Sequence, residues 1–514
     1  MGGSAAQETP RCPRTEGVEA VSERHADLLR DESNLVAAGV ERAYFPTSAE
    51  ELASAVREAA SAREPLTTSG ARTGIVGGAV PAGSRCVISL TRMNRLVSID
   101  TGEDGAVARV EAGLTLADLT GRLAGYRWPA ARWYYPVDPT EQTAEIGGTI
   151  ATDASGGRSF RHGPTRRWVR ALRLVLADGR DISIRRGDVR AEGGALRWPE
   201  AFPDRVLDLP ELRRPACKCA AGYRVAPDVD LVDLLVGSEG TLCVIAGAEL
   251  ALAPEPAGVL ALVCFLPREA DGIGLVRALK ESRLAPLSIE YFDSTALDFA
   301  RSRRADGDEH LPEVPPGAGQ AVFLEEAYAD EEDLDARIAA LDELLAAAGG
   351  SIDKTWACQT PAERERARAL RHGIPEAVNA LIARRKREVP DLHKVGTDLA
   401  VPDEAFPELV GAYRRMLPAS GLEYVIFGHA GESHLHVNMI PRDLGELERA
   451  KGVHVELARL AVRLGGAVTA EHGIGRLKRG LLEIQYGREG VAAMRRIKEF
   501  FDPDGILNPG VMFE

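Results

Sequence analysis

The chain has 514 residues, 45% of them hydrophobic and 27% charged, with a formal net charge of −14 and 7 scattered cysteines. Such a length calls for two or more domains, and the acidic balance argues against a nucleic-acid partner, which needs a basic face. No CxxC pair or ladder of four cysteines occurs, so neither an iron–sulfur cluster nor a disulfide framework is expected, and reduced thiols suit a cytoplasmic setting.

Residues 1–24 read as a flexible tail. Its first twenty are small and polar with no apolar core of a signal peptide, and Ala6 breaks the myristoylation pattern that Gly2 would open. His25 to Asn34 is a short charged helix candidate. Ser48 with Glu51 three residues later forms a capping box ahead of an apolar helix, Leu52 to Ala60. At Leu66 a strand starts and runs into Ser69-Gly70-Ala71-Arg72-Thr73-Gly74 and Gly77-Gly78. Glycines there permit close approach of backbone N–H groups to an anion, and a pyrophosphate is the obvious guest. The spacing is neither GxGxxG nor a Walker loop.

Short strands follow at Cys86 to Leu90, Leu96 to Ile99 and Ala106 to Val110, then a helix near Leu116 to Ala124. The stretch Pro136 to Gly157 is dominated by small residues, as needed where main chain lies along a planar ring. Leu172 to Gly179 is a strand ending in an Asp-Gly turn. Residues 187–230 are irregular, an insertion or lid that includes Cys217-Lys218-Cys219. Leu234 to Ile245 is a third glycine turn leading into a strand.

After Pro254-Glu255-Pro256 strand and helix candidates alternate. Strands are expected at Leu260 to Phe265, Ser288 to Phe292, Gln320 to Glu326 and Val395 to Val401. Helices are expected at Gly274 to Lys280, Thr295 to Arg301, Glu332 to Ala348, Thr360 to Ala383, Phe406 to Leu417, Leu444 to Leu464 and Val491 to Phe501, with a mobile loop at Gly307 to Pro316. This half reads as α+β, an antiparallel sheet with helices on one face. The longest apolar run, Gly258 to Pro267, is far short of the roughly 20 residues that span a bilayer, so any membrane association would be peripheral.

Three of the chain's 10 histidines, His429, His434 and His436, fall within one short stretch. Glu423 to Phe427 reads as a strand, broken by Gly428, Gly431, Glu432 and Ser433. His434, His436 and Asn438 then alternate with Leu435, Val437 and Met439, the period of a second strand, so His434 and His436 share a face. An ion could use His429 with His436, or His434 with His436. Glu471-His472, further on, supplies a carboxylate and an imidazole together. Imidazoles and one carboxylate suit zinc or a similar divalent ion.

From about residue 27 onward the chain resembles the vanillyl-alcohol oxidase/p-cresol methylhydroxylase flavoprotein superfamily, in the branch of D-lactate dehydrogenase and the glycolate oxidase flavin subunit. The match is carried by Gly70 to Gly78, Asp138-Pro139, Ile146-Gly147-Gly148, Gly237 to Leu242, His429 to His436, Ala470 to Gly475 and Leu507 to Gly510. The resemblance implies an α+β fold: an FAD-binding domain over 25–256, a substrate- and metal-binding domain over 257–496 with an antiparallel sheet, and a segment, 497–514, returning to the flavin. It implies FAD bound by Ser69 to Gly74, Gly77, Gly78, Pro136, Asp138, Ile146, Gly147, Gly148, Thr152, Ala154, Ser155, Glu239, Gly240, Ile245 and Asn508. The first loop holds Ala71 and Arg72 where covalent relatives carry His, so the FAD is expected to be non-covalent. Asp153 stands where relatives usually have Asn.

The resemblance further implies a divalent metal on His429, His436 and Glu471, His434 standing nearby, and His472 as the base. Arg371 and Lys394 would hold the substrate carboxylate, with Lys478 a further candidate. The implied reaction is oxidation of a D-2-hydroxy acid of the D-lactate, glycolate or 2-hydroxyglutarate class, with hydride passing to flavin N5. An imidazole of ordinary pKa near roughly 6.5 suits proton transfer at neutral pH, and a divalent ion would acidify the hydroxyl. The electron acceptor, a quinone, cytochrome or electron-transfer protein, is left open, and an oligomer is compatible. Three rival readings are a flavin subunit without independent turnover, a transferase like alkylglycerone-phosphate synthase, and a sugar or aromatic-alcohol oxidase, against which the metal set speaks. Against the second, the run of adjacent histidines known from that family is absent.

Overall fold

The structure is a computed structural model that describes residues 11–514, apart from residues 104, 130, 269 and 310 and the side chains of 361, 365 and 368. Its first sheet orders the strands Arg14–Glu16, Arg42–Tyr44, Cys86–Ser89 and Leu66–Ser69, the last three parallel to one another. Parallel neighbours need a crossover, and helix Ala49–Ala62 supplies it. Ser48 Oγ accepts from Glu51 N at its start, as the capping box predicts, but the Glu51 carboxylate returns to Thr47 N rather than to the cap residue. Leu52, Ala55, Val56 and Ala59, at helical spacing, are buried against this sheet.

Of the tail expected over 1–24, residues 1–10 lie outside the described residues. The remainder is structured: Arg14–Glu16 pairs with Arg42–Tyr44, and Val18–Arg24 is a helix with Val21 fully buried. The helix expected over 25–34 is a single 3-10 turn, Ala26–Leu29. Beyond it Asp31 Oδ1 accepts from Ser33 N at 2.9 Å, a local bond that competes with helix.

A second, antiparallel sheet orders Leu96–Gly102, Gly105–Glu111, Val244–Ala251, Val169–Val175 and Asp181–Arg185. Against it lies a helix not expected from sequence, Ile146–Thr152. Gly147 N donates to Ala112 O at 2.7 Å, and a Cβ on Gly147 would stand 2.7 Å from that of Ala112. The glycine therefore serves close packing of helix on strand. Residues 187–230 are largely irregular, with one small hairpin, Ala195–Arg197 against Val206–Asp208.

The second half is built on an antiparallel eight-stranded sheet. Its path runs Thr355–Cys358, Gly258–Leu266, Gln320–Tyr328, Ser288–Phe292, Tyr424–Gly428, His434–Met439 and Val395–Gly396, with Leu399–Ala400 also on His434–Met439. Helices cover both faces, not one. Leu260, Leu262 and Cys264 pack with Leu275 and Leu341, whereas Ala261, Val263 and Phe265 pack with Leu297, Ile374 and Val378. The unbroken apolar run at 258–266 is the mark of a strand buried on both sides. The loop expected over Gly307–Pro316 is irregular but anchored by buried Leu311. The helix expected at Val491 already begins at Arg479 and is broken at Gly487, whose φ is +68°.

The chain end returns to the first sheet. Leu66 N donates to Ile506 O and Asn508 N to Leu66 O, each at 2.8 Å. Among the described residues no helix is long and apolar enough to cross a membrane.

Candidate active site

Strand register assembles the site. Tyr424–Gly428 pairs with His434–Met439 so that Phe427 stands opposite His436. Leu435, Val437 and Met439 point into the core, fully buried, and His434 and His436 take the other face, as their alternation predicts. Gly428, at φ +134°, turns the chain so that His429 folds back, its ring centroid 5.3 Å from that of His436 and 5.4 Å from that of His434. Flanking strands bring two acids to the same face. Tyr291 pairs with Gly428, which carries Glu290 opposite His429, and His429 Nδ1 lies 2.8 Å from Glu290 Oε1. Val395 pairs with Met439 and Leu399 with Leu435, so Asp398, in the gap between the two short strands, stands opposite His436.

The segment 469–475 is held across this face by two acids. Asp398 Oδ2 accepts from His472 N at 3.0 Å, and Glu239 accepts from Ile474 N and Gly475 N at 2.8 and 2.7 Å. Glu471 is thereby fixed with its two oxygens in different surroundings. Oε1 lies 2.9 Å from Ser155 Oγ and 2.5 Å from Lys218 Nζ. Oε2 lies 3.3 Å from His429 Nε2 and 3.7 Å from His436 Nε2. Burial raises the pKa of Glu471, but His429 and Lys218 outweigh it and hold the carboxyl well below the usual range. Lys218 is itself buried, with Nζ also 2.5 Å from Glu432.

His429, His434, His436 and Glu471 each offer one donor atom, all within 4.8 Å of one another. Burial and the neighbouring His434 and His429 push His436 well below its ordinary value, whereas at His429 burial is overcome by Glu290 and Glu471, which push it up to about 10, so an ion bound here would have to displace the His429 proton. His434 Nε2 lies 3.1 Å from Asp398 Oδ1, yet off the hydrogen-bonding direction, so both buried ring nitrogens lack a hydrogen bond. Unsatisfied imidazole nitrogens beside a free carboxylate oxygen form a set that can hold a divalent ion.

His472 stands beside this set, its ring stacked near-parallel on His436 at 5.6 Å and about a third exposed. Its Nδ1 lies 3.1 Å from Asp398 Oδ2, which also takes Lys478 Nζ at 2.9 Å. The Asp398 carboxyl, raised by burial, is pulled well below its ordinary value by His472 and Lys478. Lys478, read from sequence as a substrate clamp, is therefore committed to Asp398.

His429, His436, Glu471 and His472 form one end of a cavity of about 400 Å³, and the glycine loops form most of the rest. Nothing stands within 4 Å of a Cβ built on Gly74, Gly78 or Gly148, all on the cavity wall, so the three leave an open cradle for a ligand. Of the cofactor residues expected, all line it except Ser69, Gly77, Pro136, Asp138 and Ile146. Ser69, Pro136 and Ile146 are buried in the fold. Gly77 packs on Leu35 at a positive-φ turn. Asp138 accepts from Arg158 N at 3.1 Å, holding the turn behind the cavity. Asn508 Oδ1 accepts from Thr68 N and its Nδ2 donates to Glu239 O, knitting the chain end to two cavity loops. Asp153 pairs with Arg166 at 2.7 Å, and Arg72 with Asp27 at 2.9 Å.

Arg371 and Lys394 do not line the cavity. Arg371 meets Glu290 at 3.2 Å, one residue removed from His429. Lys394 is part-buried, and burial lowers its pKa to about 8. Sequence reasoning missed Glu290, Asp398 and Lys218, and also Glu145, a buried carboxyl on the cavity wall whose Oε2 has no hydrogen bond.

Residues 40–185 match the FAD binding domain, and residues 255–512 match the C-terminal domain of FAD linked oxidases. The chain belongs to the FAD-linked oxidases, a class of FAD-binding oxidoreductase. It is 30% identical over 469 residues to a D-lactate dehydrogenase of Anaerostipes hadrus, covering 90% of this chain and 87% of that one. It is 27% identical over 475 residues to the glycolate oxidase subunit GlcD of Bacillus subtilis, covering 91% and 88%. The solved structure of an alkyldihydroxyacetonephosphate synthase superposes with a TM-score of 0.59 at 16% identity, over 92% of this chain and 76% of that one, and so shares the fold.

Proposed function

We propose that this chain oxidises a D-2-hydroxy acid, of the D-lactate, glycolate or 2-hydroxyglutarate class, to the 2-oxo acid. One observation carries the reading: His429, His436, Glu471 and His472 stand on the wall of the cavity that the glycine loops form. FAD, when bound, supplies the hydride acceptor at N5. A divalent ion, zinc or similar, would be held by His429, His436 and Glu471, with His434 in reach, and would act as a Lewis acid on the substrate hydroxyl.

The remaining steps belong to the chain's own groups. His472 takes the hydroxyl proton at Nε2, because Asp398 engages Nδ1. Glu290 takes Nδ1 of His429 and so turns Nε2 toward the ion site. Lys218 and Ser155 occupy Oε1 of Glu471, leaving Oε2 as the donor. Lys394, with no ion pair among the described residues, and Arg371 remain the groups for the substrate carboxylate, although both stand outside the cavity lining, so the substrate must extend past that wall to meet them. The FAD is dissociable, since the loop 70–78 offers no histidine. The electron acceptor is a quinone, a cytochrome or an electron-transfer protein, and the enzyme works in the cytoplasm or peripherally at the membrane.

The test is anaerobic bleaching of the flavin by D- and L-lactate, glycolate, D- and L-2-hydroxyglutarate and malate. At least one D-acid or glycolate is expected to bleach it, and His472→Ala is expected to keep the yellow colour and lose the bleaching. Failure of every acid, or full bleaching by His472→Ala, overturns the reading. The Bacillus relative's name as a subunit keeps a second reading open. Turnover of the isolated chain with an artificial dye would exclude it.

A further inference from the structure

A second cavity, of about 630 Å³, lies behind the first, on the far side of the segments at 153–155 and 470–471. Its charges are not balanced at one end. Three guanidinium groups of its lining, those of Arg166, Arg214 and Arg224, stand there with one lining carboxylate, that of Asp153, while Arg186 and Asp233 pair outside the lining. Arg166 takes Asp153 at 2.7 Å and shares Asp233, at 3.4 Å, with Arg186, at 2.8 Å. Arg214 donates from Nη2 to Cys219 O, while its Nη1 is buried with no hydrogen bond. Arg224, exposed at the mouth, has no ion pair or hydrogen bond among the described residues.

The acids at the other end are already taken. Glu432 is held by Lys218 at 2.5 Å, and Asp403 by Lys280 at 2.5 Å and Ser433 at 2.6 Å. Glu404 is exposed at the rim. Buried charge is ordinarily paired, and a buried guanidinium nitrogen without a partner calls for one. Guanidinium groups offer paired donors matched to phosphate and carboxylate oxygens.

We propose that this cleft is a binding site for a small oxyanion, held by Arg214 within and Arg224 at the mouth, separate from the cavity that takes FAD. The ligand carries a phosphate or two carboxylates. It is small enough to fit the cavity, and it stands next to Lys218, the side chain that holds Glu471 from behind.

The test is calorimetric titration of the FAD-loaded full chain with inorganic phosphate in one arm and succinate in the other. Saturable binding of one ion per chain is expected in at least one arm, and the tighter arm identifies the class. Arg224→Met and Arg214→Met are each expected to weaken that binding by about tenfold or more, the worth of one lost charge-assisted bond, while FAD content is unchanged. Arg224 is exposed, so its variant tests the site even where Arg214→Met fails to fold. Absence of saturable binding in both arms, or affinity unchanged in Arg224→Met, overturns the proposal.

Discussion

Asp398→Asn separates positioning of the base from stability of the fold. Asp398 is 1% exposed and its Oδ2 serves His472 N at 3.0 Å, His472 Nδ1 at 3.1 Å and Lys478 Nζ at 2.9 Å. Asparagine keeps the shape but replaces one acceptor oxygen with a donor NH₂. If that group faces His472, Nδ1 must accept and the proton moves to Nε2, which can then no longer act as base. The reductive half-reaction is expected to slow by about 10²- to 10⁴-fold, the usual worth of a positioned proton acceptor. Stripping Lys478 of its charge partner is expected to cost about 3 kcal/mol of stability, the low end for breaking a buried pair. Adding Lys478→Met removes the stranded ammonium, so the double variant should regain most of the stability and none of the rate. Stopped-flow flavin reduction under anaerobic conditions gives the rate, and urea unfolding gives the stability. Recovery of both together in the double variant would refute the positioning role.

Three further outcomes are expected. Burial raises the Glu145 carboxyl to about 8 against the opposing charge of Arg72. A raised carboxyl is neutral below that value and charged above it, so FAD affinity should hold steady up to about pH 8 and then fall, while Glu145→Gln abolishes the fall. Fluorescence titration with FAD from pH 6 to 9.5, as about one to two units either side of that value, measures this, and an identical fall in both proteins contradicts it. Lys394, whose pKa is lowered to about 8 by burial, is charged below that pH. Steady-state kinetics should show KM rising as pH passes it, and Lys394→Met should raise KM about 10- to 100-fold with kcat little changed. Acid precipitation should release all flavin into the supernatant, and flavin retained in the pellet would contradict non-covalent binding.

The parts of the site legible in the sequence were those written in local pattern. The alternation over 434–439 announced which histidines share a face, and clustered small residues announced the loops that form the cavity. What escaped was set by pairing between distant strands. Glu290 and Asp398 gain their meaning only from standing opposite His429 and His436 in the sheet. The available signal was a single acid within each apolar strand, Ser-Ile-Glu-Tyr-Phe and Val-Gly-Thr-Asp-Leu-Ala-Val. Lys218 offered less, a charge between two cysteines in an irregular segment. The helix Ile146–Thr152 was hidden because two glycines depress its propensity, and packing on Ala112 overrides that.

The most direct test of convergence at the histidine face is a metal titration. FAD-loaded protein stripped by a chelator should keep its flavin, lose oxidation of the hydroxy acid, and regain both one bound zinc ion per chain and activity when zinc is returned. Glu471→Gln should bind FAD normally but take up zinc at least about tenfold more weakly, as removal of one charged ligand requires. Full oxidation by the stripped protein, or zinc uptake indifferent to residue 471, would contradict the account.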